Sequence, residues 1–86
     1  MKEFTYTIQD KLGIHARPAG LLVKKAKSYA DTTVSLTANG KTVNLAQLMK
    51  LMALGIKQGT EVKITCEGAA EEEAAAGLLA FLQENL

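Results

Sequence analysis

The spacing of apolar side chains divides the chain into four segments with strand periodicity and three with helix periodicity. Phe4, Tyr6 and Ile8 alternate with polar residues, which is typical of a half-buried strand. Leu22 and Ala26 share one face of a helix, because residues four apart lie one above the other. Applied to the whole chain, the two patterns predict strands at 2–8, 33–38, 41–45 and 60–67, and helices at 16–28, 47–54 and 70–83.

The dipeptide Asn39-Gly40 lies between the second and third predicted strands. Asn-Gly flanked by alternating runs is the strongest short-range signal for a β-hairpin. The element order is then β-α-β-β-α-β-α, and a sheet covered by helices on a single face is the economical arrangement for so short a chain. We therefore predict an α+β open-faced sandwich, with a four-stranded antiparallel sheet and three helices on one of its faces.

The composition is that of a globular protein rather than a disordered segment, since 48% of the 86 residues are hydrophobic and 22% are charged. We expect a single domain that spans residues 1–86. A domain of this size removes only about 60–65% of its unfolded surface from water, so an internal ligand cavity has little room. Function is therefore expected on the surface.

Charge is unevenly distributed along the chain. Residues 1–63 contain all ten Lys and Arg residues and four acidic ones, a net charge of +6, whereas residues 64–86 contain five acidic residues and no basic one, a net charge of −5. The basic part could attract nucleic acid, but Arg17 is its only arginine and no set of aromatic residues offers a stacking platform. RNA binding is therefore the least favoured hypothesis. No apolar run is long enough to predict a signal peptide or a membrane anchor.

Cys66 is the only cysteine, which rules out an internal disulfide and makes a reducing cytoplasm the expected compartment. The alternation of Val62, Ile64 and Cys66 predicts a buried thiol rather than a reactive nucleophile. His15 and Cys66 lie too far apart in sequence to indicate a metal site, and the chain has no Gly-rich nucleotide-binding loop. We expect neither a metal nor a cofactor.

The only His, the only Arg and the only Pro all lie at the predicted start of the first helix. If His15 is the N-cap, the backbone N–H groups of Ala16 and Arg17 lack helical partners and, with the helix dipole, form a site for an anion. A neutral imidazole is a nucleophile that can accept a phosphoryl group, and the Arg17 guanidinium can bind phosphate oxygens. Pro18 is compatible with a first turn. These residues favour a phosphoryl acceptor, and a helix-capping histidine beside a solvated arginine is the structural alternative.

The first two helices have features of a protein-docking surface. With its apolar side inward, the first helix presents one apolar residue among cations, in a stripe made up of Arg17, Gly20, Leu21, Lys24 and Lys27. The second helix can bury only one of its two apolar stripes, which are Leu48, Leu51 and Leu54 on one side and Met49 and Met52 on the other. We favour buried leucines and exposed methionines that bind partners. The alternatives are a solvated lysine face and methionines that fill the core.

Four segments together resemble one known family. They are residues 13–19 (Gly-Ile-His-Ala-Arg-Pro-Ala), 39–45, 54–56, and 68–69 with the acidic helix start that follows. The resemblance is to HPr, the histidine-containing phosphocarrier family of the bacterial phosphoenolpyruvate-dependent sugar phosphotransferase system. It runs essentially from end to end and implies the sheet order 1-4-2-3.

The resemblance also implies a role and a set of residues. His15 would accept a phosphoryl group on Nδ1 from phospho-enzyme I and pass it to sugar-specific enzyme IIA domains, as a stoichiometric carrier and not as an enzyme. The Arg17 side chain and the backbone of Ala16 and Arg17 would hold the phosphate. The surface that both partners share would include Gly20, Leu21, Lys24, Lys27, Leu48, Met49 and Met52. The protein is expected to be a cytoplasmic monomer.

Two positions depart from the family pattern. Gln47 stands where many Gram-positive members carry a regulatory serine that an ATP-dependent kinase phosphorylates, and a glutamine cannot be phosphorylated. Gly20 stands where relatives often have a hydroxyl residue. Neither departure implies loss of the relay. The alternative hypothesis is a regulatory paralogue of the same fold, nitrogen-related or repression-related, that acts by binding partners.

Overall fold

A computed structural model describes residues 1–86 and contains four strands and three helices. The strands are β1 (Lys2–Thr7), β2 (Thr32–Ala38), β3 (Lys41–Asn44) and β4 (Glu61–Gly68), and the helices are α1 (Ala16–Lys27), α2 (Leu48–Ala53) and α3 (Glu71–Asn85). The predicted element order is confirmed. None of the three helices has the length and apolar content needed to cross a lipid bilayer.

The strands form one antiparallel sheet in the order β1-β4-β2-β3. Ile64 of β4 lies opposite Phe4 on one side and Leu36 on the other, so these three side chains project from the same face. One face of the sheet is therefore apolar, as the alternation predicted. The strand order is the one that the family resemblance implied.

The helices cover this apolar face and enclose a core of 19 buried hydrophobic residues. Leu22 of α1, Leu51 of α2 and Leu78 of α3 each have at most 1% of their surface exposed. No polar or charged side chain is buried with them. All three helices are therefore held to the sheet by apolar packing.

The opposite face of the sheet is polar and open to solvent. The hydroxyl groups of Thr37 and Thr42 lie 2.8 Å apart across β2 and β3. Lys63 Nζ lies 3.6 Å from a carboxylate oxygen of Glu3 across β4 and β1. The fold is thus the predicted open-faced sandwich. Side chains on the outer surface of the helices lie on the opposite side of the molecule from this polar face.

The turn between β2 and β3 has the geometry that its dipeptide predicts. Asn39 (φ +53°) and Gly40 (φ +76°) both adopt the left-handed region. Two successive left-handed residues are the signature of the type I′ turn, whose twist matches that of the flanking strands. The predicted hairpin is confirmed.

The observed ends of the elements differ from the predicted ones by one or two residues. β1 ends at Thr7, although Ile8 is still buried and donates its N–H to the main-chain oxygen of Thr60 at 3.0 Å. α3 continues to Asn85, because Leu82 and Leu86 both pack into the core. An apolar pattern locates the buried positions but not the last hydrogen bond of an element.

The buried stripe of α3 is narrow. Ala74, Leu78 and Leu82 are buried, whereas Ala75 and Phe81 are only partly buried against the edge of the core. The three buried residues form a single row at four-residue spacing, and the other two flank that row. Ala75 and Phe81 therefore lie at the edge of the buried stripe and not within it.

Candidate functional site

His15 is the N-cap of α1, as predicted. Its backbone is extended (φ −103°, ψ 176°), and its main-chain oxygen accepts the N–H of Ala19 at 2.9 Å, the first hydrogen bond of the helix. The imidazole makes no capping hydrogen bond, and 38% of the side chain is exposed. The imidazole therefore does not cap the helix, and the ring is accessible from solvent.

The first turn of α1 leaves backbone donors free beside this ring. Ala16 and Arg17 lie in the turn whose N–H groups have no carbonyl partner in the helix, and Pro18 has no N–H. No acidic residue stands in this turn, so no side chain of the helix neutralises its positive end. The start of α1 therefore keeps free backbone donors and the positive end of the helix dipole.

The loop before His15 is attached to the loop that follows α2. The N–H of Ile14 donates to the main-chain oxygen of Ile56 at 3.1 Å, and both side chains are buried. Gly13 has a left-handed backbone (φ +67°), and a Cβ atom there would overlap the main chain of Ile56 and Lys57. The position of His15 is thus set from both sides, by the helix after it and by this crossing before it.

Asp10 lies on the other side of the ring, a contact that the sequence analysis missed. Its carboxylate oxygen Oδ1 is 3.9 Å from Nε2 of His15 and also accepts the N–H of Leu12 at 2.8 Å. Its main-chain N–H donates to the main-chain oxygen of Leu86 at 2.8 Å, and its main-chain oxygen accepts the N–H of Gly13 at 2.9 Å. The loop has no periodicity, so no pattern in the sequence indicated that these two side chains meet.

Arg17 is exposed, and its guanidinium makes no ion pair or hydrogen bond within the chain. A shallow depression brings it together with the ring; the lining residues are Asp10, His15, Arg17, Pro18, Leu21 and Asn85. The predicted pair of His15 and Arg17 thus shares one open depression. The end of α3 also reaches this depression, which no local pattern could predict.

Helices α1 and α2 pack against each other, and the residues predicted to form a docking surface are exposed or partly exposed on them. Four of its apolar residues are exposed, with Met49 at 81%, Leu21 at 46%, Leu48 at 38% and Met52 at 36%. Lys24 and Lys27 are exposed, and Gly20 is partly exposed. The surface has an apolar centre with cations on its α1 side.

The prediction that all three leucines of α2 are buried was wrong, whereas the surface position that the family resemblance implied for Leu48 agrees with the structure. Leu51 is buried and Leu54 is partly buried against the core, but Leu48 lies on the surface with the methionines. A three-residue step falls about 60° short of a full helical turn, which rotates Leu48 away from Leu51 and toward solvent. The exposed methionines, by contrast, were predicted correctly.

Gln47 is the N-cap of α2 and is exposed. Its side chain makes no capping hydrogen bond, while its main-chain oxygen accepts the N–H of Leu51 at 3.1 Å. The neighbouring Ala46 N–H is bound by the side chain of Asn44 at 2.8 Å. The helix start is therefore formed without a hydroxyl group at this position.

Cys66 is fully buried in β4, as predicted. Burial raises the pKa of its thiol, and the negative charge of Glu71 raises it further. Since the thiolate is the nucleophilic form, this side chain is inert in the folded protein.

Comparisons with known proteins point in one direction. The family described as "PTS HPr component phosphorylation site" matches residues 2–84. The phosphocarrier protein HPr of Mycoplasma genitalium is 38% identical over 85 residues, which cover 99% of this chain and 97% of that protein.

Solved structures agree with the sequence comparisons. A structure of HPr from Thermoanaerobacter tengcongensis is 39% identical, covers 98% of this chain with 93% of its own, and has a TM-score of 0.92. Crh, a catabolite repression protein of Bacillus subtilis described as a domain-swapped dimer, is 38% identical, with coverage of 94% and 92% and a TM-score of 0.76. Both carriers and repression proteins thus share this fold.

Proposed function

This chain belongs to the HPr family of the phosphotransferase system, and on that premise we propose that it carries phosphoryl groups on His15. It accepts the group from phospho-enzyme I and donates it to enzyme IIA domains, so that sugar is phosphorylated as it is taken up. Residues 1–86 act as one domain in the cytoplasm. The protein is consumed and regenerated stoichiometrically, as a carrier and not as an enzyme.

The acceptor is the ring nitrogen Nδ1. Its lone pair forms the new N–P bond as the P–N bond of the donor's phosphohistidine breaks, and the proton on Nε2 stays in place. The ring therefore gains one positive charge, and the donor's ring leaves neutral. The exposure of the imidazole and its freedom from any capping bond support this role.

The start of α1 receives the phosphoryl oxygens. The N–H groups of Ala16 and Arg17 supply backbone donors at the positive end of the helix, and the unpaired Arg17 guanidinium supplies charge-assisted ones. Because neither set of donors has another partner in the chain, binding phosphate breaks no existing contact.

Partners bind the surface of α1 and α2 around the ring. Leu21, Leu48, Met49 and Met52 give apolar contact, and Lys24 and Lys27 attract acidic surfaces. Flexible methionines can adapt to differently shaped partners, which suits a carrier that meets both a donor and several acceptors.

The observation that carries the proposal is the uncapped, accessible His15 at the open start of α1. The test is incubation with phosphoenolpyruvate and enzyme I, followed by phosphorus NMR. We expect one acid-labile, base-stable phosphoramidate on Nδ1, absent from His15→Ala and unchanged in the control Gln47→Ala. A wild-type protein that takes no phosphate, or a His15→Ala variant that takes it, contradicts the proposal.

The likeness to Crh favours a second candidate, a regulatory protein that acts by binding. The two candidates differ in which complexes last. A carrier forms transient complexes with transferases, whereas a regulator retains a partner in only one phosphorylation state. Pull-downs with phosphorylated and unphosphorylated protein separate them, and light scattering tests our expectation of a monomer against a Crh-like dimer.

A further inference from the structure

The carboxylate of Asp10 lies beside the imidazole of His15 and has no role in the function proposed above. Asp10 Oδ1 lies 3.9 Å from Nε2 of His15, in a loop that belongs to neither the helix nor the sheet. We propose that Asp10 is a positioning residue, which keeps the proton of His15 on Nε2 and so leaves the lone pair on Nδ1. The inference rests on the proposed function, because it concerns the nitrogen that accepts the phosphoryl group.

The carboxylate is held in place by its surroundings. All three polar parts of Asp10 are engaged, since its N–H binds Leu86, its main-chain oxygen binds Gly13, and its Oδ1 binds the N–H of Leu12. Only 30% of the side chain is exposed. Asp10 therefore faces the ring as a fixed group and not as one conformer of a mobile side chain.

A fixed negative charge on the Nε2 side selects one form of the neutral ring. A neutral imidazole has a single N–H, and either nitrogen can carry it. The form with hydrogen on Nε2 points a positive N–H toward the carboxylate, whereas the other form points a lone pair at it. At 3.9 Å the interaction is electrostatic or runs through one water molecule, so Asp10 favours the Nε2–H form without a direct hydrogen bond.

The same charge acts again when the phosphoryl group arrives. Transfer to Nδ1 leaves the Nε2 proton in place and makes the ring cationic. The other groups around the ring are Arg17 and the positive end of α1, which both oppose a cation, and the neutral Asn85. Asp10 is therefore the acidic side chain in this depression, and it offsets that opposition.

The experiment uses the whole chain labelled with ¹⁵N and compares three proteins. Asp10→Asn removes the charge but keeps an oxygen that can accept the Leu12 N–H. Asp31→Asn is the matched control, since it makes the same chemical change in the exposed turn between α1 and β2. Nitrogen shifts of His15 at about pH 9, where histidine is neutral, report the ratio of Nε2–H to Nδ1–H forms.

We expect Asp10→Asn to lower this ratio about threefold, the size that a partial charge gives at this distance in water. Asp31→Asn should leave the ratio unchanged, and about 1 M NaCl should reduce the difference between Asp10→Asn and wild type. Amide spectra verify that both variants are folded. A ratio that is equal in Asp10→Asn and Asp31→Asn overturns the proposal.

A second measurement follows the charge on the phosphorylated ring. At equilibrium with phospho-enzyme I at neutral pH and low salt, the ratio of phosphorylated to free Asp10→Asn should be about fivefold lower than for wild type, as a full unit charge at about 4 Å predicts. An unchanged ratio overturns this part. If no protein accepts phosphate, the proposed function fails, and the ¹⁵N ratio still decides whether Asp10 positions the proton.

Discussion

Gly13 adopts a left-handed backbone where the loop before His15 crosses the main chain of Ile56. The crossing leaves no room for a Cβ atom, so at this residue the chain needs glycine for two independent reasons. Gly40 is also left-handed, but a Cβ atom there would meet open space. A comparison of alanine substitutions at the two glycines therefore separates the free-energy cost of a left-handed backbone from the cost of steric overlap.

Gly13→Ala should lower the free energy of unfolding by more than about 2 kcal/mol. The overlap of the new Cβ atom with the main chain of Ile56 adds to a penalty of about 1–2 kcal/mol for the left-handed backbone. Gly40→Ala should lower the free energy of unfolding by about 1 kcal/mol. Only the conformational penalty applies there, and it is partly offset because alanine stiffens the unfolded chain. Urea titration of both variants measures the difference. Equal losses would mean that the crossing at Ile56 is loose.

Individual residues show where sequence analysis succeeds and where it stops. His15, Arg17 and Pro18 could be placed because a helix start has local signals of its own. Asp10 and Asn85 reach the same depression through an irregular loop and through the far end of the chain. Contacts of this kind depend on how elements pack, which no short window of sequence records.

Helices α1 and α3 begin in opposite electrostatic environments. The first turn of α3 holds Glu71, Glu72 and Glu73, whereas that of α1 holds no acid. Glu71 contacts the N-terminal ammonium at 2.6 Å and accepts the Gly68 N–H at 3.3 Å. One helix start is thus neutralised by its own side chains, and the other is left free for an anion.

Glu71 makes stability depend on pH in a definite direction. The hydrogen bond from the N-terminal ammonium, followed by that from Gly68, lowers the pKa of its carboxyl group in the folded protein. A lowered folded-state pKa stabilises the fold above the unfolded value, about 4.3, and this contribution is lost as the pH falls through the folded value. Acid should therefore remove the stabilisation that the ionised Glu71 carboxylate provides.

Glu71→Gln should accordingly melt at a lower temperature than wild type at pH 7, and the difference should shrink as the pH falls below about 4.3 and through the lowered pKa of the folded protein. Glu73→Gln is the matched control in the same helical turn, because Glu73 makes no ion pair. Thermal melts from pH 3 to 8 provide the measurement. A difference that persists in acid would assign the effect to packing and not to charge.

At the level of elements, a strong local sequence signal was sufficient to predict the structure, whereas a weak periodicity was not. The Asn39-Gly40 turn predicted the hairpin because its two left-handed residues allow few other structures. The six residues of α2 are too few for periodicity to fix its rotation, so the leucine spacing placed Leu48 inside, whereas the family resemblance placed it on the surface, where it lies. Only packing against α1 and β3 determines which side of so short a helix is covered.

Across the whole molecule, the groups to which we assign a function lie on the helical side, and the other side is the open polar face of the sheet. Lys24 and Lys27 lie on the α1 side of the proposed docking surface, while Lys63 lies on the open sheet face and pairs with Glu3. Strand order itself could not be predicted from alternation, which does not say which strands are neighbours. It followed from the family resemblance.

Lys24→Glu should slow phosphoryl transfer from phospho-enzyme I about tenfold at low salt, because a charge on the docking surface steers association. Lys63→Glu makes the same charge change on the opposite face and should have little effect. Rapid-quench kinetics over a range of NaCl concentrations measures both, and the difference should shrink as salt screens the charges. Equal slowing by the two variants would point to net charge and not to a docking surface.

The polar sheet face and the buried thiol of Cys66 together make the protein easy to label at a chosen place. Thr5 is exposed on that face, opposite Lys63, in a strand whose alternate residues Phe4 and Tyr6 pack against the core. Thr5→Cys would introduce the one thiol that a maleimide dye can reach. A fluorophore attached there would lie on the opposite side of the molecule from the proposed docking surface. It would report the binding of partners without blocking the residues that contact them.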